Sequence, residues 1–291
     1  MKQRVREVAD KATKVGVRAR AMAQQGKLSE RVRSSGGPLA TEIADALEFA
    51  AAGSRVGDPE SFALIEGMRA EYAASNDSLE QVDYGAGEGT RGEILEPTVR
   101  TRRLDEFVKV SKSPELGRLL YGLVAELKPG RVLEFGTALG ISGAYIQSAM
   151  VANGEGTLTT MEGAPGVAEV ARETWNRCGL PAAEIIIGNF DETLVKAIDA
   201  RVDLAFIDGN HRAIPTISYL HQIAPALGKP GLVVFDDITW TADMRSAWRM
   251  AQRHPDAALS IDLESMGLLV LDPHFDGEVR RLQGTLGSCA P

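Results

Sequence analysis

From Arg131 onward, short apolar segments alternate with longer amphipathic ones, and no other feature of the 291 residues limits the fold as much. The runs at 131–135, 157–162, 184–187, 203–208, 231–236, 258–263 and 267–271 have the length and residue types of strands. The stretches at 140–152, 165–178, 191–199, 212–226 and 241–253 have helical spacing. Strands alternating with helices build a mostly parallel, doubly wound α/β sheet with helices on both faces. Only Glu264-Ser265-Met266 joins the last two strands, too short for a crossover, so they must form an antiparallel hairpin. The expectation is a seven-stranded sheet closed by that hairpin.

Before this region the chain is helical in pattern. Val5, Val8, Ala12, Val15 and Ala19 lie near one face of a helix over 1–33, and Ser34-Ser35-Gly36-Gly37-Pro38 ends it. Thr41 is a candidate cap for a helix to Ala52, and Pro59 opens another to about Ala74. Residues 75–100 are polar and glycine-rich and read as a loop, in which Tyr84 and Gly85–Gly89 could close over a ligand. Ser113-Pro114-Glu115 opens a helix to about Leu127. The organisation expected is a helical region over 1–103, with a basic arm, and a ligand-binding domain over 104–291. Ala44 and Ala51 give the second helix a small-residue stripe that suits a homo-oligomer built through the N-terminal helices.

Bulk properties exclude several classes. The apolar share of 44% and charged share of 25% are those of a globular protein, and no apolar run is long enough to span a bilayer. No signal peptide is visible, and Cys178 and Cys289 do not make a disulfide framework, so a cytoplasmic setting is expected. Residues 1–33 hold ten Lys and Arg against three acids, a net +7, which leaves −15 in the rest of a chain whose total is −8. So acidic a body argues against broad nucleic-acid binding. The arm reads as a solvated helix that packs locally or on a partner subunit.

In doubly wound sheets, ligands sit beyond the carboxyl ends of the strands. The first such end lies in the run Arg-Val-Leu-Glu-Phe-Gly-Thr-Ala-Leu-Gly-Ile-Ser (131–142). A dinucleotide site would show G-x-G-x-x-G, whereas Glu134, Gly136 and Gly140 spell E-x-G-x-x-x-G. The acid suits a ligand with an amino group, and the glycines let it approach the backbone. Glu162, 28 residues on and followed by Gly163, can accept hydrogen bonds from a ribose diol. Asn189 follows the third strand, where it could meet an adenine edge. Asp208, Asp236 and Asp237 end the fourth and fifth strands, and three such oxygen donors suit a hard divalent cation, most plausibly Mg²⁺. His211 leaves the same turn as Asp208, with an unperturbed pKa near 6.5 suited to a general base. Of the other histidines, His254 and His274 read as surface residues and His221 as a packed one. Trp240, Met244 and Trp248 could wall an acceptor pocket, although their helical spacing also fits core packing.

The run Leu133–Ser142 resembles motif I of class I S-adenosylmethionine-dependent methyltransferases, and residues 104–272 resemble the catechol O-methyltransferase-like group. The resemblance implies a Rossmann-like sheet with S-adenosyl-L-methionine held by Glu134, Gly136, Thr137, Gly140 and Ser142, the serine at the methionine end. It puts the ribose on Glu162, a divalent metal on Asp208, Asp236 and Asp237, and the catalytic base at His211. Two positions depart from the group: Asp237 stands where it has Asn, and His211 where it has Lys. The implied function is metal-assisted O-methylation of a small-molecule hydroxyl, with Asp208 touching cofactor and metal. The competing readings are a metal-independent O- or N-methyltransferase, a nucleic-acid acceptor recruited by the basic arm, and a non-catalytic nucleoside-binding protein.

Overall fold

The computed structural model describes residues 26–53, 58–84 and 97–286. Most of the basic arm, the Gly85–Gly89 segment and Cys289 lie outside the described residues.

The main sheet forms where the alternation expects it. β3 (Arg131–Phe135), β4 (Thr157–Glu162), β5 (Glu184–Ile187), β6 (Val202–Ile207) and β7 (Leu227–Phe235) run parallel, with β3 central between β4 and β6. β8 (Ala257–Asp262) and β9 (Gly267–Leu271) form the expected hairpin, with β9 antiparallel to β7. The sheet has eight strands rather than seven: β10 (Arg280–Gln283) adds in parallel to β8, giving the order β10-β8-β9-β7-β6-β3-β4-β5. Its sequence Arg-Arg-Leu-Gln and its exposed edge give no strand pattern to read.

Residue alternation along the strands separates two cores. Val132, Leu204, Phe206, Leu232 and Val234 belong to one, Leu133, Phe135, Ala205, Ile207, Val233 and Phe235 to the other. The first is covered by α4 (Pro114–Leu127), α5 (Ile141–Asn153), α1 (Ala40–Ala51) and the helical residues 26–33. The second is covered by α7 (Phe190–Ala197), α8 (Ala213–Ile223) and α9 (Ala242–Ala251). A third cluster joins α2 (Glu60–Ala74) and α3 (Leu104–Val110) to α5 and α6 (Pro165–Arg177). Among the described residues no helix is long and apolar enough to cross a membrane.

Local chemistry explains several element starts. Ser113 accepts a hydrogen bond from the Leu116 N–H at 3.4 Å, and Pro114 occupies the first turn of α4. Thr241 caps α9 in the same way, accepting from the Met244 N–H at 3.0 Å. Thr41 does not cap α1; that helix begins at Ala40, after Leu39 in a left-handed conformation, with no side-chain cap. Ala44 is fully buried in its own chain, where α1 packs on α4 so closely that a Cβ at Gly122 would meet the Ala46 Cα at 3.1 Å.

The region read as one loop over 75–100 is partly ordered into sheet. β1 (Ser78–Asp83) pairs antiparallel with β2 (Thr98–Arg103), which leads directly into α3. β2 is exposed along nearly its whole length, so it carries no alternation of apolar and polar residues. His221 is exposed rather than packed, its ring 5.9 Å from that of His254.

Candidate active site

The carboxyl ends of β3, β4, β5, β6 and β7 open into one cavity of about 830 Å³. β1 and β2 wall it on the far side, with Tyr84 laid against Gly163 so closely that a Cβ there would be 2.9 Å from the ring. Gly136 makes the turn out of β3 with φ 85°, and a Cβ at that position would collide with the Asp208 carbonyl. This close approach brings the β3 and β6 ends together.

The residues expected around the cofactor divide into two sets. Gly136, Glu162, Gly163, Asn189 and Asp208 line the cavity. Glu134, Thr137, Gly140 and Ser142 stand behind its wall. Glu134 is fully buried and accepts a 2.6 Å hydrogen bond from the Ser142 hydroxyl, while burial pushes its pKa up to about 7. Thr137 and Thr160 share a hydroxyl–hydroxyl bond of 2.9 Å. Gly140 caps α5 in a left-handed conformation, and its carbonyl accepts from the Trp175 indole at 2.8 Å.

Glu162 is more directly presented. Its two oxygens accept the N–H groups of Ala138 and Ala164, both at 3.0 Å, which fixes the carboxylate at the rim. Burial raises its pKa. Asn189 has a local use, since its side chain caps α7 by accepting from the Asp191 N–H at 3.2 Å.

The acidic cluster holds a residue that the sequence did not single out. Lys112 lies between the end of α3 and the Ser113 cap of α4, and its side chain is 9% exposed. Its ammonium donates to Asp236, itself 1% exposed, and stands 3.2 Å from Asp208 Oδ2. Burial works against charge on Lys112, but Asp208 and Asp236 outweigh it and hold the ammonium above its ordinary pKa. Burial, with Asp236 alongside, lifts the Asp208 carboxyl well above the usual range. The only sequence signal for Lys112 is a lysine next to a helix cap, and lysines are common there.

His211 sits on the other side of Asp208. Its Nε2 is 3.9 Å from Asp208 Oδ1 and its Nδ1 is 3.8 Å from Asp237 Oδ2, both longer than a hydrogen bond. Burial lowers its pKa, which favours the neutral, proton-accepting ring. The ring meets Trp240 edge to face at 5.2 Å. Trp240 is 62% exposed at the cavity mouth, whereas Met244 and Trp248 are buried in the core and do not line the cavity.

Asp208, Asp236 and Asp237 therefore do not present three free carboxylates to one point. Lys112 occupies the ground between the first two, and Asp237, at φ 53°, lies beside His211. Among the described residues no group of three or more His, Cys, Asp or Glu side chains is arranged to hold a metal ion.

Comparison with known proteins agrees with the fold and the motif. Residues 133–238 match a family model described as a methyltransferase domain. A Mycobacterium tuberculosis protein named "Probable O-methyltransferase Rv1220c" is 36% identical over 125 residues, 42% of this chain and 54% of that protein. The chain thus spans about half the length of the curated relatives it matches. Among solved structures, cofactor-bound Rv0187 from MTB superposes with a TM-score of 0.54 at 20% identity, over 75% of this chain and 92% of that one. An O-methyltransferase from Bacillus cereus in complex with SAH gives 0.51 at 15% identity, over 75% and 93%. At such identities the superpositions speak for the fold. Residues 133–238 are thus similar to a methyltransferase domain, and the strand–helix body has the fold of these structures.

Proposed function

We propose that this chain catalyses methyl transfer from S-adenosyl-L-methionine to the hydroxyl of a small molecule. One observation carries the reading: Glu162 and the glycine turns face the Asp208–His211 pair across a single cavity at the strand ends. When bound, S-adenosylmethionine supplies a methyl group on a sulfonium and leaves as S-adenosylhomocysteine.

The chain's own residues account for the remaining steps. Glu162 offers carboxylate oxygens to the ribose diol, and the Gly136–Ala138 turn lets the ligand lie against backbone. Glu134 and Ser142 act from behind the wall by fixing the β3–α5 turn. His211, neutral in its buried setting, takes the proton of the acceptor hydroxyl. Tyr84 and Trp240 flank the opening and reduce access of water. In this reading 104–291 carries the chemistry, while 1–103 supplies β1, β2 and the helices that brace α4.

The resemblance implies a divalent metal, and the residues present do not fit one. A dication shared by Asp208 and Asp236 would need the position of the Lys112 ammonium and would be repelled by it.

Turnover of methyl-labelled S-adenosylmethionine against a panel of hydroxylated small molecules tests the proposal. His211→Gln is expected to lower the rate by about 10²- to 10⁴-fold, the range for loss of a positioned base. An unchanged rate would remove His211 from the chemistry, and no transfer to any hydroxyl would overturn the reading.

A further inference from the structure

We propose that the Lys112 ammonium is the resident cation of this site, standing where metal-assisted methyl transfer uses a divalent ion and presenting its free N–H to the acceptor oxygen. The inference rests on the methyl-transfer reading above.

The placement of Lys112 is built into the fold. α3 ends at Val110, the Ser111 N–H still bonds back to the Phe107 carbonyl at 3.0 Å, and Ser113 already caps α4. Lys112 is therefore held between two helix termini, and its side chain has little room to swing. Asp236 is almost wholly buried, and its carboxylate accepts from this ammonium. Withdrawing Lys112 would leave a buried carboxylate uncompensated, which is strongly unfavourable. The ammonium is thus a fixed feature of the site rather than a surface lysine that has folded in.

An ammonium has three N–H donors and no acceptor. Two are directed at Asp236 and Asp208, and Lys112 lines the cavity, which leaves one donor for a ligand. The acceptor oxygen would then lie between Lys112 and His211, on either side of Asp208. In the step, the hydroxyl proton passes to His211 and the oxygen lone pair forms the new O–C bond. The C–S bonding pair returns to sulfur, giving a neutral thioether, and Lys112 keeps all its protons. Positive charge beside the oxygen stabilises the anion that develops as its proton leaves.

This arrangement also narrows the substrate class. A divalent ion in an oxygen shell binds two neighbouring substrate oxygens and so selects chelating diols. A single remaining N–H donates to one oxygen. The acceptor is accordingly a compound with an isolated hydroxyl, with no requirement for a vicinal pair.

Mn²⁺ titration followed by electron paramagnetic resonance tests the placement on the full chain, with S-adenosylmethionine calorimetry in parallel. Wild type is expected to leave the free Mn²⁺ signal unchanged to about 1 mM, because a monovalent charge already occupies the carboxylates. Lys112→Met removes that charge and is expected to bind Mn²⁺ at least about tenfold more tightly. Lys112→Gln serves the same purpose if the Met variant is not folded by circular dichroism. Stoichiometric Mn²⁺ binding by wild type would overturn the proposal, as would variants that bind no more tightly than wild type. Absence of S-adenosylmethionine binding to wild type would instead sink the methyl-transfer reading, whatever the Mn²⁺ result.

Discussion

Glu134, a carboxyl with no exposed surface, has the Ser142 hydroxyl as its close donor. Desolvation dominates its electrostatics and lifts its pKa from 4.5 to about 7. A carboxyl whose folded pKa exceeds its unfolded value binds more protons when folded between those two values. Stability therefore falls as pH rises from about 4.5 to about 7, by up to roughly 3 kcal/mol from this group. Urea unfolding across that range should show the decline, and Glu134→Gln should flatten it; an unaltered slope in the variant would show that Glu134 is not its source. At this scale the sequence was informative wherever a polar residue ends a buried strand, as with Glu162, Asp208 and Asp236. It was silent on Lys112, whose partner Asp236 is 124 residues away and whose role exists only once the β7 end and the α3–α4 junction meet. Asn189 lines the cavity and has a second, local use, since a polar residue at a strand end can also cap the next helix.

Elements were legible in proportion to their burial. β3, β6 and β9 are apolar along nearly their whole length because helices or strands cover both faces, and they lie where the pattern put them to within a residue. β2 and β10 are exposed and charged, so backbone pairing rather than side-chain pattern defines them. Contact between helices was equally hidden. Nothing local in Gly122 marks it as the seat of Ala46, yet the α1–α4 contact depends on its missing side chain. Gly122→Val should force these helices apart and cost about 1–3 kcal/mol, the range for overpacking. Chemical denaturation measures this, and a loss no greater than that of an exposed helical Gly→Val change would mean that α1 accommodates the bulk.

Across the whole molecule, the functional cavity follows from topology. A run of five parallel strands with β3 in the middle brings their carboxyl ends to one edge, and the β1–β2 pair walls the cavity there. The two sides of the cavity carry different chemistry. Glu162 and the glycine turns form the side suited to a nucleoside, while Lys112, Asp208 and His211 form the side suited to a proton transfer. The first side tests the account most directly, because every later step needs the methyl donor in place. Calorimetric titration of S-adenosylmethionine into the full chain should show one site per chain. Glu162→Gln, which keeps the size of the side chain but not its charge, should weaken that site by about tenfold or more. No heat of binding to wild type, or equal affinity in a folded Glu162→Gln variant, would contradict the account.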